Sequence, residues 1–396
     1  MAMETFNDMA NKERPKVLVG LGVGGKLIGN KYATLDEALE NVEPFTTIFL
    51  TEGVYSITKP VTKPGLIIEK RDKDEHVYIV GNEGPVIKIE LEHHEVINYV
   101  VFKNIIILHS GASIQFKFKE NAPQDPKYCM QASHKAIREF EVHDDMDTCV
   151  YVVSGGVMFR NCTLSLKSHP KKLKSRVPVI VSLPNTLVNL TSCKVIGNEF
   201  NHNCGCIHIN SHVFISDTEF SNFNSGGIYV LGKPKPVNKV KIMDSKISNC
   251  KVVGIYLQGE GAKQKVLRVN IENIEGPGIK INRGNYSKIK GCEIRKSQCG
   301  VQVISAQPHI LMNTFRDNYE SGIITEAKKG IRCDALISFN KIEMNKQCGI
   351  FCTGENNHSR IEKNLKIAGN TLAGIKAADG ASIIIVNNID ITGNYG

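Results

Sequence analysis

The sequence predicts an all-β fold of one kind, a parallel β-helix in which a coil of three short strands is stacked many times. Three observations predict it. Glycine followed at once by isoleucine or valine recurs at Gly227, Gly254, Gly278, Gly300, Gly322, Gly349 and Gly374, so successive spacings are 27, 24, 22, 22, 27 and 25 residues. Between these motifs run second apolar segments, at 240–244, 310–313, 337–340 and 383–387. An asparagine closes the third piece shortly before the next glycine, at Asn222, Asn249, Asn318, Asn345 and Asn370.

Each piece has a physical reason. Apolar residues alternate with polar ones, as strands with one buried face require. A glycine suits the place where a side chain would crowd the next coil. Asparagine tolerates a left-handed bend, and its amide can hydrogen-bond the equivalent amide one coil away. Ile207 and Ile209 are read as the counterparts of Ile228 and Val230, which aims both of them inward.

In chain order, residues 1–31 read as a lead-in segment and 32–396 as the β-helix domain. Thr34 and Glu37 form a capping box ahead of Ala38, Leu39 and Val42 at helical spacing. That short helix would plug the apolar end of the stack, as solenoids require. A first strand follows at 47–50 and a Gly-Val-Tyr turn at 53–55. Residues 111–147 break the rhythm with Pro123, Pro126 and five acids from Glu139 to Asp147, so they read as an inserted loop. The chain stops in mid-coil, and the exposed edge there calls for a partner or a continuation.

Composition narrows the function classes. No run of 18 apolar residues exists, so no membrane span is expected. The polar start at 1–14 argues against a cleaved export signal. Twelve scattered cysteines then read as reduced thiols, and the expected location is cytoplasmic. The net charge of +9 collects in loops, at Lys167, Lys171, Lys172, Lys174 and Arg176 and around Pro234 and Pro236. Aromatic residues are sparse on the strands, so nucleic acid is not an expected partner.

The segment YATLDEALENVEPFTTIFLTEGVY at 32–55, with the glycine and asparagine ladders after it, resembles the pectin-lyase-like superfamily of right-handed parallel β-helices. The resemblance implies a right-handed single-stranded solenoid with an N-terminal capping helix. Within that superfamily the chain is more similar to the intracellular branch, which includes F-box and SHC-binding proteins and spindle- and cilium-linked proteins. No F-box-like segment precedes the repeats.

Candidate chemistry is thin. Asp144-Asp145 lies in the insertion, and Asp217, Asp244, Glu293 and Glu326 read as scattered among coil positions. Cys204, Cys206 and His208 would share an outer face if Ile207 and Ile209 point inward, and soft ligands at that spacing could bind zinc. Structural zinc prefers wider cysteine pairs, so no metal site is assigned. Cys348, Cys352 and His358 are a weaker set. The glycines of 20–25 fit a dinucleotide fingerprint without the α/β sheet that it needs. Neither a catalytic residue nor a cofactor is expected.

The resulting expectation is a non-enzymatic scaffold that binds other proteins, in a cytoskeletal or ciliary assembly. Lys167, Lys171, Lys172, Lys174 and Arg176 would contact an acidic surface such as tubulin. The alternative is a polysaccharide lyase, a glycoside hydrolase or a carbohydrate-binding protein on the same fold.

Overall fold

The computed structural model describes residues 14–20, 31–81, 84–91, 98–109, 147–166, 177–198, 203–232, 238–328 and 330–395. Its strands assemble into three parallel sheets of 15, 13 and 11 strands, here called A, B and C. The chain visits them in the repeating order C, A, B, so each strand inside the stack pairs with its counterpart one coil earlier and one coil later. The glycine motifs form sheet C, the second apolar segments sheet A and the third pieces sheet B.

Register holds the fold together. Ile228, Ile255, Ile279, Val301, Ile323 and Ile350 pair in one unbroken column and are wholly buried. They belong to one core cluster that runs the length of the solenoid. Burying each such side chain contributes about 1.5–3 kcal/mol, so the stacked column is the main source of stability. The preceding glycines pack with no room to spare. A Cβ on Gly254 would sit 2.4 Å from the Gly278 carbonyl oxygen, and one on Gly300 2.4 Å from that of Gly322.

The bends repeat as strictly as the strands. Ser192, Asp217, Asp244, Arg268, Met312, Phe339 and Lys363 all turn from sheet A to sheet B with φ between 49° and 58°. Two buried asparagine ladders follow the bends in the later coils. Asn340 Nδ2 donates to Asn364 Oδ1 at 3.0 Å and to the Ile310 carbonyl at 2.9 Å, while Asn345 Nδ2 donates to Asn370 Oδ1 at 2.9 Å. The expected amide stacking is therefore present, with one refinement. Asn222 and Asn249 do not align with Asn318, Asn345 and Asn370; they occupy the left-handed position one residue earlier, together with Asn273. Theirs is a separate, outward-facing ladder.

At the N-terminal end, helix α1 (Leu35–Asn41) is capped as expected. Thr34 Oγ1 accepts from the Glu37 amide at 3.2 Å, and Glu37 Oε2 accepts from the Ala33 amide at 3.1 Å. Leu35, Ala38 and Val42 enter the core cluster and cover the first coil. The strand Lys16–Val19 pairs with Thr47–Leu50 and adds a rung to sheet A ahead of that helix. Residues 111–146 of the proposed insertion lie outside the described residues. Its flanks meet: Asp147 Oδ1 accepts from the Gly84 amide at 3.0 Å and lies 3.4 Å from His109 Nε2. In the last coil Ile384, Ile385 and Ile391 are about half exposed.

Candidate functional site

The five basic residues singled out as a partner contact, Lys167, Lys171, Lys172, Lys174 and Arg176, fall outside the described residues. The cysteine–histidine set is corrected by register. Cys206 pairs with Ile228, Ile207 with Tyr229 and His208 with Val230, so the inward column is Cys206 and His208 and the outward one is Ile207. A shift of one residue exchanges the two faces of a strand. The apolar outer face, which sequence alternation reads as the core face, is the cause. Cys204 packs outside with Ile207 and Tyr229, and Cys206 packs inside, so the set does not converge. His208 is wholly buried, bonded through Nδ1 to Ser182 Oγ at 2.7 Å, and burial pushes its pKa down to about 3. It is a neutral core group.

Of the four candidate carboxylates, Asp217, Asp244 and Glu293 are engaged in structural pairs. Asp217 and Asp244 do share a column, one coil apart, contrary to the scattered reading. Ser192 Oγ donates to Asp217 at 2.8 Å, and Arg268 clamps Asp244 through two bonds of 2.6 and 2.7 Å. That clamp holds the Asp244 carboxyl below the usual range. Glu293 accepts from Arg316 at 2.7 Å. Among the described residues no group of three or more His, Cys, Asp or Glu could hold a metal ion. Gly20 follows the strand Lys16–Val19, and its amide donates to the Tyr32 carbonyl at 3.1 Å within sheet A; residues 21–25 of the glycine motif lie outside the described residues.

The outer face of sheet C is different. Residues between the inward Ile and Val positions form an outward column of Tyr229, Tyr256, Lys280, Gln302, Ile324, Phe351 and Lys376. Beside it runs a second column with Gln258, Asn282, Ile304 and Glu326. Tyr229 and Tyr256 lie 5.9 Å apart as neighbouring rings, yet Tyr256 is only 2% exposed, so the pair is no open stacking platform. Its hydroxyl donates to Gln258 Oε1 at 2.9 Å and accepts from Asn282 Nδ2 at 3.1 Å.

Lys280 follows in the column at 4% exposure. Among the described residues it makes no hydrogen bond and no ion pair. Its neighbour Gln302, 7% exposed, leaves Oε1 buried without a partner. Burial pushes the Lys280 pKa down to about 8, with the Lys328 charge adding to the fall. An unpaired buried amine costs stability, and such groups cluster where chemistry is done. The sequence did carry a signal: Lys280 is a lysine at the outward position of a repeat whose two preceding coils hold tyrosine.

With the geometry established, comparison with known proteins agrees with the fold. A family model for the right-handed β-helix region matches residues 179–334. The chain is a right-handed parallel β-helix. The catalytic unit of a thermostable α-1,3-glucanase from Streptomyces thermodiastaticus is similar at 12% identity and a TM-score of 0.55, over 89% of this chain and 64% of that one. This chain thus spans less than two thirds of the glucanase unit's length. The Agl-KA catalytic domain matches at 11% identity and a TM-score of 0.46, over 87% of this chain and 62% of that one. The mannuronan C-5 epimerase A-module of Azotobacter vinelandii matches at 12% identity and a TM-score of 0.40, over 90% and 92%. No curated protein matches the sequence at a significant level.

These likenesses overturn the expectation of a non-enzymatic scaffold in a cytoskeletal or ciliary assembly. The solved chain that shares the fold at a TM-score of 0.55 is the catalytic unit of a glucanase, an enzyme and not a scaffold. The reading of a chain without activity loses its support as well. The right-handed parallel β-helix stands; the matches say nothing of an intracellular branch.

Proposed function

We propose that the chain is a polysaccharide-active protein of the lyase type, acting on uronate-containing chains at the outer face of sheet C with Lys280 as the base. The observation that carries the reading is the partnerless Lys280 amine beside the unpaired Gln302 Oε1. A lysine pushed down to about 8 is in part neutral near neutral pH and can accept a proton.

The chemistry balances within the substrate and this one amine. Lys280 removes the proton from the carbon next to the uronate carboxylate. The electron pair left behind forms a carbon–carbon double bond as the glycosidic carbon–oxygen bond breaks. The proton on Lys280 then passes to the departing oxygen, so no water is consumed. Lys328, exposed and free of ion pairs among the described residues, lies near enough to Lys280 to affect it and supplies positive charge for a carboxylate. Hydrolysis is less well supported, because it calls for two carboxylates on one face about 5–9 Å apart. Of the outward residues named on sheet C, Glu326 is the one carboxylate.

The test is release of unsaturated product from a panel of uronate polysaccharides, followed by ultraviolet absorbance. Lys280→Met and Lys280→Arg should each lower turnover by about 10²–10⁴-fold, the range for a positioned base. The wild-type rate should climb with pH and level off above about 8, as the amine loses its proton. Wild-type turnover in Lys280→Met, or no product from any uronate chain, would refute the assignment.

A further inference from the structure

We infer that the outer face of sheet A is a peripheral docking surface for a lipid bilayer that carries anionic phosphate headgroups. Four consecutive strands of that sheet, Val240–Met243, Lys265–Leu267, Lys288–Lys290 and His309–Leu311, hold four lysines, a histidine and no acid. Lys241 pairs with Lys265, Lys265 with Lys288 and Lys288 with His309, so the three lysines stand in one outward column. Coils lie about 4.8 Å apart, so the column from Lys241 to His309 runs about 14 Å along the axis.

Like charges set directly opposite one another destabilise a sheet. Elsewhere the molecule relieves that cost. On sheet A itself Lys103 pairs with Glu69 and Arg360 with Glu362, and on sheet B Lys246 and Arg295 share Glu272. Among the described residues Lys241, Lys265, Lys288 and Lys290 make no ion pair and no side-chain hydrogen bond. Such an unrelieved ladder raises the local potential and draws anions from outside the chain.

Apolar side chains decide which kind of anion. Met312 and Phe339 take the same left-handed bend one coil apart, where sheet A borders sheet B, and are 53% and 38% exposed. Tyr286 and Ile331, in the turns that lead into sheet A, are about half exposed. Leu311 and Leu336 are part-exposed on the face between these borders. A soluble polyanion would satisfy the lysines and leave this apolar rim in water. A bilayer takes both, because its headgroups meet the ammonium groups while the rim enters the boundary with the acyl chains. A single-stranded nucleic acid would call for stacking aromatics among the cations, whereas the lysine rungs are flanked by Met243, Leu267 and Lys290. Sheet C is a separate face of the solenoid, so docking through sheet A leaves the Lys280 side uncovered.

Flotation of the full chain with vesicles of phosphatidylcholine alone, or of phosphatidylcholine mixed with phosphatidylglycerol, tests this. The mixed vesicles should carry the chain at low salt and release it in molar salt, and the neutral vesicles should leave it behind. Each lysine near such a surface contributes roughly fivefold in affinity, so Lys241→Gln/Lys265→Gln/Lys288→Gln should lose about a hundredfold. Met312→Ser/Phe339→Ser should lose several-fold. Lys246→Gln, on sheet B, and Lys280→Met should float like the wild type. The triple variant should melt at or above the wild-type temperature, which separates lost binding from lost folding. The chain contains no tryptophan, so Phe339→Trp supplies a single reporter whose emission should shift to the blue on anionic vesicles. Tyr319→Trp, at the corner between sheets B and C, should not shift. Wild-type flotation of the triple variant, unshifted emission from Phe339→Trp, equal binding to neutral vesicles, or a preference for a soluble oligonucleotide over the vesicles would overturn the docking surface.

Discussion

Lys280 shows how one side chain can be costly to the fold and useful to the site. Its folded pKa of about 8 lies below the ordinary 10.5. Between those values the unfolded chain binds more protons than the folded one, so stability rises with pH across that window. Below pH 8 the full penalty applies. Lys280→Met should therefore be more stable than the wild type at pH 7, by up to ~3 kcal/mol from the size of the shift. The gain should shrink towards pH 10. Denaturant midpoints of both proteins at the two pH values measure it, and a gap that does not narrow would remove the buried-ammonium account. His208 makes the contrast, since it is buried deeper yet bonded to Ser182 on one nitrogen. Its neutral form meets the need of the core, where Lys280 has no such partner.

For the individual strand, the decisive feature is the glycine that opens the sheet C segments from Gly227 onward. Its φ is ordinary at Gly300, so the requirement is space rather than backbone freedom. A Cβ there would meet the Gly322 oxygen at 2.4 Å and Phe315 at 2.5 Å. Gly300→Ala should force two coils apart and destabilise by about 3 kcal/mol or more, in the range of overpacked cores. Gly261→Ala, at φ 71° with nothing within 4 Å of the new Cβ, should lose only ~1–2 kcal/mol, for the left-handed bend. Thermal unfolding of the two variants separates crowding from backbone strain. Equal losses would show that coil spacing is slack.

Taken whole, the molecule is a one-dimensional stack in which each coil is held by its neighbours. Protection from hydrogen exchange should therefore fall along the axis. Amides of Ile279–Asn282, with coils on both sides and buried side chains, should exchange slowest. Those of Ile384–Val386 and Ile391–Thr392, with a paired strand on one side and half-exposed side chains, should exchange orders of magnitude faster. Uniform protection would mean that the stack opens only as a unit.

Much of this was legible in the residues because a repeat writes the same physical demand many times. The period of 22 to 27, the inward columns and the capping box on Thr34 and Glu37 follow from local rules of burial and backbone geometry. Those rules settled the fold class, the parallel strands and the asparagine ladders. They could not settle the first regular coil, where apolar residues occupy both faces and the choice between Ile207 and Cys206 rests on pairing with Tyr229 and Ile228. Nor could they assign chemistry to Lys280, whose burial and missing partners depend on residues from neighbouring coils. Local alternation decides how a strand is made; the neighbouring coils decide which face is covered and what a covered lysine can do.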